Sequence, residues 1–179
     1  MIDTQLDDIM TLQKQLYDLR YDHWLNHELF TTQWWIFVAM LIIPWIIWWK
    51  VVDKTRRGII FAYGLFLMIE IITMNETGIG HLLWFYPIRL VPSLQYAVAI
   101  DCSFLTVLHM LIYQYFPKWQ TFIIIEIISS FLLAFVGEPL AEWSRIYIAI
   151  HWYHIYSFPI YVMKAILGKW LIENIIFKS

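Results

Sequence analysis

A chain of 179 residues that is 61% hydrophobic, 19% aromatic and only 15% charged cannot bury its apolar surface in a soluble core, so its composition is that of a membrane-embedded domain. A net charge of −2, with the basic residues gathered at the ends of apolar runs, argues against a nucleic-acid-binding surface. The single cysteine, Cys102, lies in an apolar run, which excludes an intramolecular disulfide, a CxxC redox pair and a cysteine metal cluster.

Residues 1–30 are polar and helix-prone. Ile9, Leu12, Leu16 and Leu19 recur at the spacing of an amphipathic helix lying on the bilayer or on its own bundle, while Gln5, Gln13 and His23 interrupt the seam a coiled coil needs. Asp3, Asp7 and Asp8 stand where a secretory leader is basic and then apolar, so no cleaved leader is expected.

The stretch Trp45 to Lys54 (WIIWWKVVDK) ends a long apolar run with tryptophans and then charge, as a helix does on leaving a membrane. A first span is predicted from Gln33 to Val52, anchored by Trp34 and Trp35 at one end and by Trp45, Trp48 and Trp49 at the other, with a kink at Pro44. Further spans are predicted near residues 58–75, 93–116, 119–137 and 155–176. Residues 138–154 read as too polar to span and are expected at the outer interface, as a short amphipathic helix or re-entrant turn. The expected fold is therefore all-α: an amphipathic helix over 1–30, then a five-helix transmembrane bundle over 31–179.

Lys50, Lys54, Arg56 and Arg57 crowd the first connection, and Lys118, Lys169 and Lys178 fall on the same side in a five-span chain. The positive-inside bias then predicts an outer N-terminus and a cytoplasmic C-terminus. No internal repeat is evident, which gives an inverted-repeat transporter no support.

Ionisable residues inside spans cost about 3 kcal/mol each unless paired, neutralised or hydrated, so they mark candidate sites. Glu70, Asp101 and Glu138 are the candidate catalytic acids, expected to converge on an outward-lying cavity. Trp84, Tyr86, Arg89, His154 and Tyr156 are the candidate substrate contacts around it. His109, Glu126 and Lys164 form a candidate intramembrane polar network, and Lys164 shares a helix face with Ser157, Tyr161 and Gly168, so it should meet a carboxylate. Ser130 and Ala134 keep the face of Glu126 and Glu138 small enough for close helix approach. The i, i+3 pair His151 and His154 sits among interfacial aromatics, which favours anchoring over a metal site, and no cofactor is expected.

Together and in this order, WIIWWKVVDK, YQYF at 113–116, GEPL at 137–140 and HIYSFPIY at 154–161 resemble an uncharacterised family of small polytopic membrane proteins of Bacilli and Clostridia, over nearly the whole chain. The resemblance implies a bacterial cytoplasmic membrane and carries over no activity, cofactor or catalytic residue. A looser likeness, without a shared motif, is to integral-membrane terpene cyclases, in which acidic residues near helix ends flank an aromatic cavity.

Three functions stay open at this point. An intramembrane enzyme would use Glu70 or Asp101 to protonate a hydrophobic substrate, with an isoprenoid as one candidate, and Glu138 to take the proton back, while Trp84, Tyr86 and Tyr156 face the developing cation. A transporter or proton conductor would use Glu70, Asp101, Lys164 and Glu126 as a relay. A structural or sensory protein would use the same groups only to lock helices. The expected partners are the lipid bilayer and a hydrophobic small molecule, with oligomerisation left open.

Overall fold

The computed structural model describes residues 2–176, with side chains from residue 4 onward; Lys178 and the Asp3 side chain, both used in the charge argument, lie outside that set. The described chain is 78% helix and 2% strand. Helix α1 (Ile2–His23) widens into a π-type turn at Trp24–Glu28. Its Leu6, Ile9, Leu12, Leu16 and Leu19 are all exposed, so it does not lie along the bundle.

Four helices are long and apolar enough to cross a membrane: α2 (Thr32–Val51), α3 (Arg57–Gly80), the continuous run Trp119–Trp143, and the run His154–Ile176. The fifth expected span differs from these. The chain stays irregular past residue 93, passes through a π-type turn at Ile100–Leu105, and only then becomes the short helix α4 (Thr106–Tyr115). Its inward face carries Asp101, Ser103, Thr106, His109 and Gln114, all buried, so it is the most polar of the packed helices.

Two further differences concern boundaries. Helix α3 continues to Gly80, beyond the expected end near residue 75, because its polar residues are satisfied in place. Thr73 Oγ1 donates to Ile69 O and Thr77 Oγ1 to Thr73 O, each at 2.8 Å. Residues 138–143 are not a separate interfacial segment. Helix α5 (Trp119–Leu132) runs through a π-type turn at Leu133–Gly137 straight into α6 (Glu138–Trp143), and Pro139 is tolerated in the first turn of α6, where an N–H is dispensable. Only 144–153 form the connection to α7 (His154–Leu171).

Successive long helices reverse direction, so α2, α4 and α7 end together, and side chains tie their ends. Gln114 at the end of α4 accepts from Asp53 N and donates to Val51 O, both at 3.0 Å, which sets it against the α2–α3 connection. Near the end of α7, Lys169 Nζ donates to Pro117 O (2.9 Å) and meets Glu173 Oε1 at 2.8 Å. Lys169 is fully buried, with its ammonium about 5 Å from the ring centres of Tyr113, Trp119 and Phe122, so it belongs to the core rather than to a solvated basic tail. Lys50, Lys54, Arg57 and Lys118 are exposed at this same end, here termed the basic end.

Lipid tails are as apolar as leucine, so close packing rather than escape from water holds such helices together. Near the basic end Tyr63 stacks on Tyr113 with ring centres 4.5 Å apart, and Phe122 meets both edge-on. Gly64 leaves room for Met110, and Gly168 for Phe66 and Tyr63. The outward faces, such as Ile36, Ile43 and Ile47 on α2 and Ile124, Ile128 and Phe131 on α5, are apolar and exposed, as lipid-facing surfaces are. At the opposite end a second cluster gathers Ile79, Trp84, Tyr86, Tyr96, Ala97 and Tyr147. There the two long connections join through short antiparallel strands, β1 (Trp84–Phe85) and β2 (Ile148–Ala149), with Trp84 opposite Ala149 and Phe85 opposite Ile148.

Candidate functional site

Beneath that two-stranded roof lies a cavity of about 250 Å³ between α3, the Ile100–Leu105 turn, the α5–α6 run and α7. Helical spacing places its walls. Ile71, Met74 and Asn75 form one face of α3, and Ser157, Tyr161 and Lys164 form one face of α7. Asp101 and Glu138 each sit in or directly after a π-type turn, which re-aims a side chain that a regular helix would hold elsewhere. Trp84, Tyr86, Tyr147 and Trp152 close the roof.

Asn75 organises one wall. Its Oδ1 accepts from Tyr86 OH (2.9 Å) and Trp84 Nε1 (3.2 Å), and its Nδ2 donates to Asp101 Oδ2 (3.1 Å) and Ile71 O (3.1 Å). These partners fix the amide's orientation and hold Asp101, 4% exposed, toward the cavity. Burial pushes the phenols of Tyr86 and Tyr147 up, with Asp101 and Glu138 respectively adding to it, so both stay neutral donors.

The facing wall is charged. Glu138 Oε1 accepts from Tyr161 OH at 2.5 Å, and Oε2 lies 2.7 Å from His154 Nδ1. The other ring nitrogen of His154 lies 3.3 Å from Glu142 Oε2, so each ring nitrogen faces a carboxylate. Exposure rises from Glu138 (13%) through His154 (26%) to Glu142 (35%), so the trio leads from the cavity outward.

Lys164 is 6% exposed and reaches into the same cavity, with Nζ 4.5 Å from the Tyr161 ring centre. Among the described residues no carboxylate oxygen lies within 4.0 Å of it, and Asp101 is its strongest charge neighbour. The expected carboxylate is thus near but not in direct contact.

Other candidate residues lie elsewhere. Glu70 does not line the cavity: it is about 140° around the helix from Asn75, half-buried on another face of α3. Arg89 instead clasps the end of α1. Its backbone N–H donates to buried Glu28 Oε2 (2.7 Å), its Nε to Tyr86 O (3.2 Å), and its guanidinium lies over Phe85. Tyr156 is 48% exposed and packs on Trp152 and Tyr153 outside the cavity. His154 acts through Glu138 rather than on the cavity itself. His109 and Glu126 form their own buried pair at 2.8 Å, separate from Lys164, and Glu126 Oε1 and Ser130 Oγ have no hydrogen-bond partner among the described residues.

Sequence reasoning passed over Asn75, whose only signal is an amide on the same helix face as Ile71 and Gly78. Among the described residues no group of three or more His, Cys, Asp or Glu is arranged to hold a metal ion. The fold and this cavity define a multi-helix membrane-type protein with a largely apolar, aromatic-roofed pocket inside its bundle, into which a few charged groups reach. No protein family, curated protein or solved structure matches the chain.

Proposed function

We propose that the chain is a five-pass membrane protein, with α4 and its π-type lead-in as the third crossing, and that its cavity performs acid–base chemistry on a hydrophobic molecule entering from the bilayer. One observation carries the reading: Asp101 and Glu138, from different helices, line a single aromatic-roofed cavity of about 250 Å³. That size approaches the lower end of small-molecule sites, about 300 Å³, and suits the head of a longer molecule whose tail stays in lipid. Asp101 supplies a proton to a carbon–carbon double bond; the resulting cation is faced by Trp84, Tyr86 and Trp152; Glu138 removes a proton from an adjacent carbon. The net change is an isomerisation or ring closure in which no atom is gained or lost, with an isoprenoid as the candidate substrate. The proton taken by Glu138 leaves to water through His154 and Glu142, and Asp101 takes up a proton from water before each turnover, so both groups return to their starting state.

The test compares lipid extracts of cells carrying the wild-type chain, Asp101→Asn and Glu138→Gln. The expected result is a compound of unchanged mass and altered chromatographic retention in the wild type alone. Identical profiles in all three remove the enzyme reading.

A second reading, proton conduction, draws support from the unpartnered Glu126 Oε1 and Ser130 Oγ. It expects liposomes containing the protein to dissipate a pH gradient, and Glu126→Gln to stop this. For location, the basic first connection supports a membrane orientation with the basic end in the cytoplasm and the roofed end outside.

A further inference from the structure

The polar groups of the cavity do not balance one another. Asn75 is fully used, both Glu138 oxygens are taken, and Ser157 Oγ accepts from Trp152 Nε1 at 2.8 Å. Three groups remain unfilled among the described residues: the hydroxyl of Tyr147, the ammonium of Lys164, with three N–H donors and no hydrogen bond, and Oδ1 of Asp101, whose partner Asn75 reaches only Oδ2; the last two carry the charge. A buried cation without an acceptor is costly, so this site is built around something it holds.

We propose that the cavity binds a hydrophobic alcohol, whose single hydroxyl bridges Lys164 Nζ and Asp101 Oδ1. This rests on reading the cavity as the site for a hydrophobic molecule and names the chemistry by which that molecule is recognised. Nζ is more than 4.0 Å from every carboxylate oxygen among the described residues, a gap that no direct ion pair closes. One oxygen making two hydrogen bonds of about 2.8 Å bridges groups up to about 5.6 Å apart, and both residues line the same cavity. A hydroxyl matches both ends of the resting site, because it accepts from the ammonium and donates to Asp101 as a carboxylate, before Asp101 takes up the proton it delivers. A carbonyl would serve only Lys164. A phosphate or diphosphate would fit worse: the cavity already holds two carboxylates against one ammonium, and further negative charge in a low-dielectric site is repelled.

The experiment uses the full chain in lipid nanodiscs with tritiated geraniol as the probe and empty nanodiscs as background. The competitors are unlabelled geraniol, geranyl diphosphate and the parent hydrocarbon 2,6-dimethylocta-2,6-diene. Saturable binding is expected, with unlabelled geraniol displacing the label at least about tenfold better than either other competitor, as a hydrogen bond to a charged group provides. Lys164→Met and Asp101→Asn should each weaken binding by about tenfold or more. Equal displacement by the hydrocarbon overturns the proposal, since the gap is then bridged by water; equal or better displacement by the diphosphate overturns it as well. If either variant fails to fold, the wild-type competition alone decides. A failed alcohol preference alongside an Asp101-dependent change in the lipid extracts would leave the acid–base reading standing and remove only this one.

Discussion

At the scale of single residues, Asn75 does more for the cavity than either carboxylate. Its amide makes the only hydrogen bonds found among the described residues for Trp84 Nε1, Tyr86 OH and the side chain of Asp101. Asn75→Leu leaves three buried polar groups without partners at about 1–3 kcal/mol each, so a marked fall in unfolding temperature is expected, with altered Trp84 fluorescence. Asn75→Asp keeps the acceptor but sets a second carboxylate against Asp101, and should cost as much at neutral pH. Glu70 provides the contrast. Because it stands on another face of α3, outside the cavity, Glu70→Gln is expected to leave turnover and geraniol binding unchanged while Asp101→Asn abolishes turnover and weakens binding by about tenfold or more. Loss of either in the Glu70 variant would mean that the two carboxyls act together despite their separation.

At the scale of elements, the helix ends decide how the roof meets the bundle. Beyond α3 and α6 the chain turns through Leu82 (φ 55°) and Arg145 (φ 56°), left-handed conformations usually taken by glycine. Leu83 N donates back to Gly78 O and Ile146 N to Ala141 O, each at 2.9 Å, so both turns close in the same way. Relief of a left-handed side chain is worth about 1 kcal/mol, and Arg145, exposed and outside the cavity, can be changed to glycine without loss of a contact the site needs. Arg145→Gly is therefore expected to raise the unfolding temperature. Gly78→Ala should do the reverse, because a Cβ there collides with the Trp84 indole, and the roof must shift. The clasp between α1 and Arg89 has its own pH dependence. Burial raises the Glu28 carboxyl above its ordinary value of 4.5, and the Arg89 bonds offset that only in part. The folded clasp thus favours the protonated acid: its contribution is full below about pH 4.5 and is lost as pH rises through the raised value. Glu28→Gln should remove that loss, seen as chymotrypsin cleavage at exposed Phe30 that no longer increases with pH.

At the scale of the whole molecule, the sequence exposes what depends on composition and conceals what depends on close geometry. The apolar runs ending in Trp48, Trp49 and Lys50 announce α2 because a lipid boundary sorts residues by chemistry alone. Asp101, Glu138 and Lys164 stand out as charges in apolar surroundings for the same reason. Which acids meet was not legible: Glu70 and Asp101 look alike in sequence, and only the face of α3 and the π-type turn at Ile100–Leu105 separate them. Nor was the roof, since strands of two residues carry no periodicity. The number of crossings falls between these cases, because α4 is short, its inward face is polar, and an irregular stretch and a π-type turn precede it. Parity resolves it. Thr55 in the first connection and Ser144 after α6 are both exposed, and α3, α4 and the Trp119–Trp143 run lie between them. Three crossings put the two positions on opposite sides of the membrane; if α4 does not cross, two crossings put them on the same side. In a Cys102→Ser background, a cysteine replacing Ser144 should react with an impermeant maleimide on intact cells, and one replacing Thr55 only after the membrane is opened. Reaction of both from outside, or of neither, reduces the bundle to four crossings, and the reverse pattern keeps five but turns the cavity roof toward the cytoplasm.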